Sequence, residues 1–454
     1  MQTAFTAAQL KDPGIAEAAT ILKDCVHYGF CTAVCPTWVL LRDENDGPRG
    51  RIDLIKAMLE ADGPPDAKTV RHIDRCLSCN ACMTTCAAKV DFLHLADVAR
   101  IHIERHFRRP LADRLLRAFI AAAVPDARRF RRAMALARLA RPLARALPGR
   151  LGALVRMAPA RLPPPSPLGP GTYPAEGERR KRVALLIGCA QQALAPHINE
   201  ATLRLLTRHG CEVVIAETPC CGALTLHMGK EGPALAAARA SVAAWGALLD
   251  TGGPEAGGLD AVVVNASGCG TTVKDYGHLL RDDPLAGEAA RIGALTRDVS
   301  ELMAELGLKE PAAKRPLSVA YHDACSLQHA QRVTEPPRAL LRAAGYEVID
   351  VPERHFCCGS AGTYNMLQPR IAADLGARKA RHVESTGAAA VAAGNLGCLT
   401  QIGLHSALPA VHTVELLDWA TGGPMPPALD GVSVPEPAEA DERAAGGDGA
   451  VGIW

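Results

Sequence analysis

The chain has 454 residues, enough for about three domains of ordinary size, so its fold does not depend on disulfides or metals to compensate for a small core. Hydrophobic residues make up 48% and charged residues 22%, which is typical of a globular protein. The net charge of +2 excludes a general electrostatic attraction to nucleic acid or to membranes.

The N-terminus has neither the basic start nor the apolar stretch of a secretory signal, and no run of eighteen apolar residues occurs. We therefore expect a cytoplasmic protein that does not span a bilayer. Sixteen cysteines in a reducing compartment favour metal ligands over disulfides. Seven of the cysteines fall within residues 1–105, which we predict to form one helical domain.

The first cysteine run is CVHYGFCTAVCP, which ends at Pro36. Cys25, Cys31 and Cys35 stand where a bacterial ferredoxin motif has ligands, but Tyr28 occupies the position of the missing cysteine. The run therefore predicts an iron-sulfur site that lacks one thiolate.

Residues 46–52, DGPRGRI, follow this run and predict a turn that enters an amphipathic helix. The helix has Ile52, Ile55 and Leu59 on one face, at the spacing of a buried stripe. We interpret this stretch as structural, with the helix packing between the two cysteine runs.

The second cysteine run, CLSCNACMTTC, has the C-x2-C-x2-C-x3-C spacing of a two-cluster ferredoxin. Three closely spaced thiolates wrap one cluster, and the fourth lies too far along the chain and ligates the neighbouring cluster. Structural zinc is the alternative, but a zinc knuckle needs two C-x2-C pairs separated by a longer loop. Crossed ligation then predicts a [4Fe-4S] cluster on Cys76, Cys79, Cys82 and Cys35, and an incomplete or three-iron cluster on Cys25, Cys31 and Cys86.

Residues 106–160 are rich in Arg and contain few acidic residues. Apolar residues recur there at helical spacing, for example Leu136, Leu139 and Leu143, and predict amphipathic helices with one cationic face. Such helices bind either an anionic membrane surface or a partner subunit. No aromatic stacking platform accompanies the charge, so we expect no nucleic-acid partner. Residues 161–182 form a Pro-rich linker.

Two copies of one βαβ-type unit follow, which we assign to residues 183–310 and 311–421. Short apolar strands alternate with helices in each copy, as in a parallel sheet, and cysteines fall just beyond the strand ends, where such sheets bind ligands. The candidate metal ligands are Cys189, Cys220, Cys221 and Cys269 in the first copy and Cys325, Cys357, Cys358 and Cys398 in the second. Cys211, at a strand start, is predicted to be a core residue. Residues 422–454 are predicted to be a disordered tail.

These motifs together resemble the iron-sulfur subunit of bacterial glycolate oxidase, also called glycolate dehydrogenase. The resemblance rests on CVHYGFCTAVCP, DGPRGRIDLIK, CLSCNACMTTC, the paired Cys-Cys-Gly (CCG) modules, NASGCGTTVKDYGHLL and FCCGSAGTYNMLQP. It covers nearly the whole chain apart from the Arg-rich segment and the tail. We predict an α+β protein in which an all-helical ferredoxin-like N-terminal domain precedes two α/β cysteine-rich CCG modules.

The resemblance also implies a partner-dependent role. FAD-containing subunits oxidise glycolate to glyoxylate in such complexes, and the iron-sulfur subunit carries the electrons towards quinone or another acceptor. The chain agrees with this role because it has no G-x-G-x-x-G after a strand and no Walker loop. His322 and His355 lie near cysteines in the sequence, but we assign no catalytic residue, because a loop histidine is more often structural or an outer-shell partner of a metal.

The nuclearity of the cluster near Tyr28 is open. The spacing C-x5-C-x3-C-P resembles the three-iron motif of succinate dehydrogenase iron-sulfur subunits, and a [3Fe-4S] cluster needs only three thiolates. The alternatives are a four-iron cluster with water, His27 or another non-cysteine ligand, direct ligation by Tyr28, and a site that is empty or labile.

The group that each CCG module binds is an open question in the same way. Related modules in heterodisulfide reductase subunits end in C-x2-C and use the extra cysteine for an unusual cluster, whereas Thr272 and Gln401 stand at that position here. Each module therefore holds an iron-sulfur cluster, a structural metal or simply reduced thiols.

We predict an electron-transfer subunit of a glycolate oxidase complex, located in the cytoplasm or peripherally on the cytoplasmic face of the inner membrane. The first alternative is an iron-sulfur subunit for another substrate, such as lactate or glycerol 3-phosphate, because the substrate is selected by another chain. The second alternative is a metal-stapled assembly scaffold with no redox role.

Overall fold

The computed structural model describes residues 1–61, 63–144, 146–147, 149–249, 258–312 and 316–432. Its N-terminal part is helical, and two α/β regions with largely parallel sheets follow. The predicted α+β fold class is therefore confirmed. Of the predicted disordered tail, residues 433–454 lie outside the described residues.

Seven helices build the N-terminal region around one apolar core. They are α1 (Pro13–Asp24), α2 (Phe30–Ala33), α3 (Pro36–Leu41), α4 (Pro48–Glu60), α5 (Ala67–Asp74), α6 (Ala81–Thr85) and α7 (Phe92–His106). The side chains of Asp12, Asp66 and Asp91 accept hydrogen bonds from first-turn amides and so fix where α1, α5 and α7 begin. Both cysteine runs lie at the edge of this core, in and around the short helices α2 and α6.

Helix α4 begins in the DGPRGRI motif, with Pro48 in its first turn, where the missing amide hydrogen costs nothing. Gly50 lies so close to the preceding turn that a Cβ atom would be 2.2 Å from the carbonyl oxygen of Glu44. The apolar face predicted for this helix, Ile52, Ile55 and Leu59, is buried in the N-terminal core.

The Arg-rich segment forms three helices, α8 (Leu111–Ala123), α9 (Ala127–Ala140) and α10 (Gly149–Met157). One side of this layer packs on the α/β regions through Ile120, Val124 and Phe130. The other side leaves a row of large apolar side chains exposed to solvent: Leu111, Leu115, Phe119, Leu136, Leu139, Leu143 and Leu151.

The first α/β region has a five-stranded sheet in the order β1-β3-β2-β4-β5. Its strands are β1 (Gly171–Tyr173), β2 (Lys181–Leu186), β3 (Cys211–Ile215), β4 (Ala261–Val264) and β5 (Thr296–Asp298). Its helices are α11 (Cys189–Leu194), α12 (Pro196–Arg208), α13 (Ala223–Leu226), α14 (Glu231–Leu249), α15 (Ser267–Lys274), α16 (Tyr276–Leu279), α17 (Ala286–Leu295) and α18 (Val299–Leu306). Strand β1 comes from the Pro-rich segment and pairs antiparallel to β3, while the other strands are parallel.

The second α/β region has a parallel four-stranded sheet in the order β7-β6-β8-β9. Its strands are β6 (Ser318–Tyr321), β7 (Glu347–Asp350), β8 (Ala390–Ala393) and β9 (Ala410–His412), and its helices are α19 (Glu335–Ala343), α20 (Tyr364–Leu367), α21 (Pro369–Glu384), α22 (Leu396–Gly403) and α23 (Thr413–Ala420). A π-helical turn, Ser326–Ala330, follows Cys325. Each sheet contains four parallel strands, and their order is the same in the two sheets. The two copies of the sequence repeat therefore have the same strand topology.

One apolar cluster spans both α/β regions, and each region also has a cluster of its own. Arg204 and Arg208 on α12 donate to the buried carboxylate of Asp418 on α23, at 2.7 and 2.9 Å. Near the cysteines, the hydroxyl oxygens of Ser267 and Ser326 lie 2.7 Å apart. The cysteine-bearing ends of both sheets are therefore held face to face.

Candidate metal centres

The structure brings Cys35 beside three cysteines of the second run, although about forty residues separate them along the chain. Burial raises the pKa of the Cys79 thiol well above its usual range, and the neighbouring thiols of Cys325, Cys35 and Cys76 raise it further. Burial raises the pKa of Cys82 in the same way, followed by its neighbours Cys79, Cys76, Cys35 and Cys31. Four thiols thus converge as the crossed arrangement requires.

The loop between these cysteines is held in an uncommon conformation. Ser78 and Asn80 both have a positive φ, at 50° and 58°, which costs free energy unless surrounding contacts enforce it. Arg100 provides such contacts, donating to the Ser78 hydroxyl at 2.5 Å and to the Cys76 carbonyl at 2.9 Å. The sequence analysis missed Arg100, because a single Arg on a helix gives no local signal.

Arg51 of the DGPRGRI motif is the second residue that the sequence analysis missed. Its side chain is 1% exposed and Nη1 lies 3.8 Å from the sulfur of Cys35. Nη2 donates to the Thr37 hydroxyl at 3.0 Å and Nε to the carbonyl of His72 at 2.8 Å. Asp46 of the same motif is fully buried and bonds His72 Nδ1 at 3.0 Å. The motif therefore does more than form a turn, since it places a buried cation beside one candidate cluster.

The other three cysteines of the N-terminal region, Cys25, Cys31 and Cys86, line a cavity of about 40 Å³. Burial raises the pKa of Cys31, and the nearby Cys86 and Cys25 raise it further. Cys82, which belongs to the other group of cysteines, also lines this cavity, and the remaining three thiols fit an iron-sulfur group with three thiolate ligands. Tyr28 also lines the cavity, but 70% of this residue is exposed to solvent, so the missing-ligand position lies at the molecular surface.

In the first CCG module four cysteines meet beyond the ends of three neighbouring strands. The sulfurs of Cys189 and Cys220 lie 3.4 Å apart, and hydrogen bonds from Cys189 and Cys221 hold the pKa of Cys220 well below its usual range. The charge of the neighbouring Cys269 also raises the pKa of the Cys221 thiol. Gly222, with φ of 88°, makes the turn that lets the adjacent pair face the same point.

The second module repeats this arrangement. The sulfurs of Cys325 and Cys357 lie 3.7 Å apart, and hydrogen bonds from Cys357 and Cys398 lower the pKa of Cys358. His322 adds a feature that is specific to this module, because one of its ring nitrogens and the sulfurs of Cys358 and Cys398 all lie within 4.8 Å of one another. These five side chains follow strands β6, β7 and β8 in the chain, with Cys398 in the first turn of α22.

A cavity of about 220 Å³ joins the two modules and is lined by all eight of their predicted ligand cysteines. Leu77 and Ser78, from the loop that carries Cys76 and Cys79, reach the same cavity. Apolar residues of α8 to α10 and their connections close its outer side: Val124, Phe130, Met134, Leu154 and Met157. Cys211 lies elsewhere, fully buried in β3, where burial raises its pKa to about 11. His355 is likewise outside the set and contacts Phe356, with ring centroids 4.4 Å apart and the ring planes tilted by 43°.

The N-terminal domain docks on the second module next to Cys325. Leu77 and Cys79 share an apolar cluster with Cys357 and residues of α20 and α21. Thr84 Oγ1 and His329 Nδ1 form a hydrogen bond of 2.9 Å across the same contact. One candidate centre of the N-terminal domain is therefore in direct contact with a candidate centre of the CCG modules.

Comparisons with known proteins agree with this architecture. The model of the 4Fe-4S dicluster domain matches residues 21–90, and that of the cysteine-rich domain matches residues 183–274 and 319–403. The chain is 33% identical to a probable glycolate oxidase iron-sulfur subunit of Bacillus subtilis, over 88% of this chain and 94% of that one. Lactate utilization protein A of Bacillus licheniformis is 28% identical over 52% of this chain.

A solved structure of a hypothetical protein from Helicobacter pylori shares the fold, with a TM-score of 0.51 and 9% identity over 91% of this chain and 73% of that chain. The glycolate oxidase iron-sulfur subunit of Escherichia coli is 37% identical over 92% of this chain and 99% of its own length. With a dicluster domain followed by two cysteine-rich domains along almost the full length of both proteins, this chain belongs to the family of glycolate oxidase iron-sulfur subunits.

Proposed function

We propose that this chain is the electron-transfer subunit of a glycolate-oxidising complex, in which FAD-containing partner subunits convert glycolate to glyoxylate. The observation that carries the proposal is a continuous series of neighbouring thiols. Cys31 lies close enough to Cys82 to raise the pKa of its thiol, and Cys325 raises the pKa of Cys79 in the same way. Adjacent candidate centres therefore contact one another from the N-terminal domain to the second module. The shared cavity extends the series to the first module. A series of closely spaced centres suits electron relay.

Iron-sulfur clusters bound at these sites supply the one-electron acceptors. The proposed ligands are Cys76, Cys79, Cys82 and Cys35 for a [4Fe-4S] cluster, Cys25, Cys31 and Cys86 for a second cluster, and the two sets of four module cysteines for further centres. The rest of the chain keeps water from the sulfurs and places charges and hydrogen-bond donors near them, which sets the reduction potentials.

For the cluster on Cys25, Cys31 and Cys86 we propose three irons. Tyr28 stands at the fourth-ligand position and is mostly exposed. Cys82 also lines the cavity but is assigned to the [4Fe-4S] cluster, so three thiols remain for this site. An oxidised [3Fe-4S] cluster has an odd electron count and is paramagnetic, whereas an oxidised four-iron cluster is diamagnetic. Electron paramagnetic resonance (EPR) of the oxidised protein, purified without oxygen, tests this. Absence of an oxidised-state signal, with iron for two complete cubanes, contradicts the three-iron cluster.

We propose that the flavoprotein delivers its electrons at the edge of this second cluster. Val26, Tyr28 and Phe30 form an exposed apolar patch there, and each is more than half exposed. Exposed apolar patches of this kind mark interaction surfaces. The double variant V26S/F30S keeps every cysteine and should slow cluster reduction by the flavoprotein while leaving reduction by dithionite unchanged. Equal rates for variant and wild type with the flavoprotein contradict this docking site.

The electron acceptor is proposed to be a quinone, with the chain bound peripherally to the cytoplasmic face of the inner membrane. Among the described residues, no helix is both long and apolar enough to cross a bilayer. Seven of the fourteen large apolar side chains exposed in the described part of the chain lie between residues 111 and 151. Residues 107–157 also contain thirteen Arg against two Asp. An exposed apolar row next to cationic charge suits the surface of anionic lipids.

Flotation with vesicles tests the membrane proposal. Wild type should float with phosphatidylglycerol vesicles at low salt and much less with phosphatidylcholine, and the variant L136S/L139S should lose this binding. The control L404S removes an exposed leucine of the second module and should bind as wild type does. Unchanged flotation of L136S/L139S contradicts membrane attachment through this surface. If the variant instead loses binding to the flavoprotein, the surface is assigned to the partner.

Redox titration and purification of the native complex test the relay itself. The holoprotein should show several reversible centres, and glycolate should reduce them only when the flavoprotein is present. A metal-stapled scaffold shows no reversible centre. Several relatives are lactate utilization proteins, so lactate is tested beside glycolate. Glycerol 3-phosphate, the other alternative substrate, is tested with them. Reduction by lactate but not by glycolate would replace the proposed substrate and keep the relay.

A further inference from the structure

His322 is buried without a hydrogen-bond partner on its ring. The residue is 1% exposed, and neither Nδ1 nor Nε2 forms a hydrogen bond of ordinary geometry among the residues that the structure describes, although the ring lies close to the thiol of Cys358. Burying an unsatisfied polar group is costly, so native proteins usually provide a partner, a water or an ion. A buried ring with neither nitrogen hydrogen-bonded, beside two buried thiols, therefore points to a ligand bound at this place.

The surroundings of the ring indicate which ligand fits. One ring nitrogen of His322 lies within 4.8 Å of the sulfurs of Cys358 and Cys398, which are also buried. Metal–nitrogen and metal–sulfur bonds of about 2.0 and 2.3 Å in a tetrahedral site bring such ligand atoms to roughly 3.5 Å from one another. A small closure of this group is therefore enough to ligate one metal atom.

The backbone of His322 is firmly placed. Its amide donates to the carbonyl of Ala392 at 2.8 Å and so continues the pairing of β6 with β8. The next residue, Asp323, accepts two hydrogen bonds from the buried guanidinium of Arg338, at 2.7 and 2.6 Å. The rigid end of this loop therefore holds the His322 side chain in place before a metal binds, as a preorganised metal ligand requires.

The first module lacks this histidine. Val183 of β2 pairs with Ala261 of β4, and Val319 of β6 pairs with Ala390 of β8, so these positions correspond. Three residues further along, Leu186 of the first module corresponds to His322 of the second. The same correspondence matches Ala266 with Asn395, whose amide donates to the sulfur of Cys398 at 3.3 Å. The second module thus differs from the first by one imidazole and one amide directed at the cysteines.

We propose that His322 is a metal ligand, and that the second CCG module holds an iron-sulfur centre with mixed imidazole and thiolate ligation, which includes Cys358 and Cys398. The first module, with Leu186 at the matching position, binds its centre through thiolates. The inference rests on the proposed relay. In this centre the imidazole replaces one of the four thiolates that serve the first module, and a neutral ligand in place of a charged one raises the potential of an iron-sulfur centre, as it does in Rieske clusters. The centre of the second module, next to Cys79, is then easier to reduce than that of the first.

Isotope labelling tests the ligand directly on the native holoprotein. Protein grown with ¹⁵N-histidine should show nitrogen hyperfine coupling in the pulsed EPR spectrum of one reduced centre, with the splitting changed from that of the ¹⁴N protein. The variant H322L, which copies the first module, should lose the coupling. H322C should lose it as well and lower the potential of that centre. The matched control H355Q removes the neighbouring histidine and should keep the coupling.

The outcomes separate the inference from the proposed function. A reversible centre in the second module without histidine coupling overturns the ligation by His322 and leaves the relay intact. The loss of zinc rather than iron from H322L overturns the iron-sulfur assignment. If replacement of Cys357 and Cys358 leaves the spectra unchanged, the second module holds no reducible centre and the relay itself fails at this module. The unchanged EPR signals of the N-terminal clusters confirm that each variant is folded, and the labelled wild type gives a result without any substitution.

Discussion

The buried cation beside Cys35 gives the sharpest prediction for the reduction potential of the [4Fe-4S] site. The change is Arg51→Met, which removes the charge and retains an apolar side chain of similar length. Reduction adds one negative charge to a cluster, and a fixed cation nearby stabilises the reduced form. We therefore expect Arg51→Met to lower the potential of the cluster on Cys76, Cys79, Cys82 and Cys35.

The size of the effect follows from the geometry. Nη1 of Arg51 lies 3.8 Å from the sulfur of Cys35. At an effective dielectric constant of about 20, unit charges at this distance interact by about 4 kcal/mol. The added electron is spread over the whole cluster, so we take about half of this, ~2 kcal/mol, which corresponds to roughly 90 mV for a one-electron couple.

The assay is an EPR-monitored redox titration of the anaerobic holoprotein. Arg51→Lys keeps the positive charge but loses the geometry of the guanidinium, so it should retain most of the potential while losing stability. The control Arg109→Met removes another Arg of the helical part, with a side chain 8% exposed, whose hydrogen bonds go to Asp74 and Asp113. A potential that stays the same in Arg51→Met, with full iron content, refutes the electrostatic role. An equal shift in Arg51→Lys would assign the effect to structure rather than charge.

Three further predictions concern single positions. Tyr28→Cys should supply the fourth thiolate, abolish the oxidised-state EPR signal and lower the potential of that cluster; a retained signal after iron reconstitution contradicts it. Gly50→Ala should lower the free energy of unfolding by about 3 kcal/mol, because its Cβ would lie 2.2 Å from the Glu44 carbonyl oxygen, whereas the control Gly63→Ala, with nothing within 4 Å, should melt as wild type does. Burial raises the pKa of Glu415 from 4.5 to about 7, so the native state binds this proton more tightly and stability is lost as pH rises from 4.5 to about 7. Glu415→Gln should reduce the fall of the melting temperature with pH across this range, and an unchanged slope would assign the fall to other groups.

Much of the fold followed from local patterns. The short apolar strands and their spacing predicted two parallel sheets, and the cysteines beyond the strand ends predicted that distant residues such as Cys189 and Cys269 would meet. Parallel strands place their carboxyl ends at one edge, so the strand pattern alone determines this convergence. The crossed grouping of Cys35 with the second cysteine run followed in the same way from spacing.

The relative placement of the domains did not follow from the sequence. Contacts such as that between Cys79 and Cys325 depend on how separate units pack, and no local pattern records this. The partners of Arg51 were missed for the same reason, since a single Arg within a turn motif gives no sign of the sulfur that it faces. Strand β1 was missed because the Pro-rich segment gives only a weak strand pattern, and its pairing with β3 is a tertiary contact.

A repeated module raises the question of direction in the proposed relay. Two identical centres in two identical frames would exchange an electron equally well both ways, because neither would lie lower in free energy. The frames here are equal in strand order and register, but they differ at the positions closest to the bound group, Leu186 against His322 and Ala266 against Asn395. The differences lie in the ligand surroundings and not in the sheets. A substitution beside the bound group changes its reduction potential and leaves the sheets in place. The duplication supplies two neighbouring sites, and these few substitutions make the two sites unequal, as net electron transfer in one direction requires.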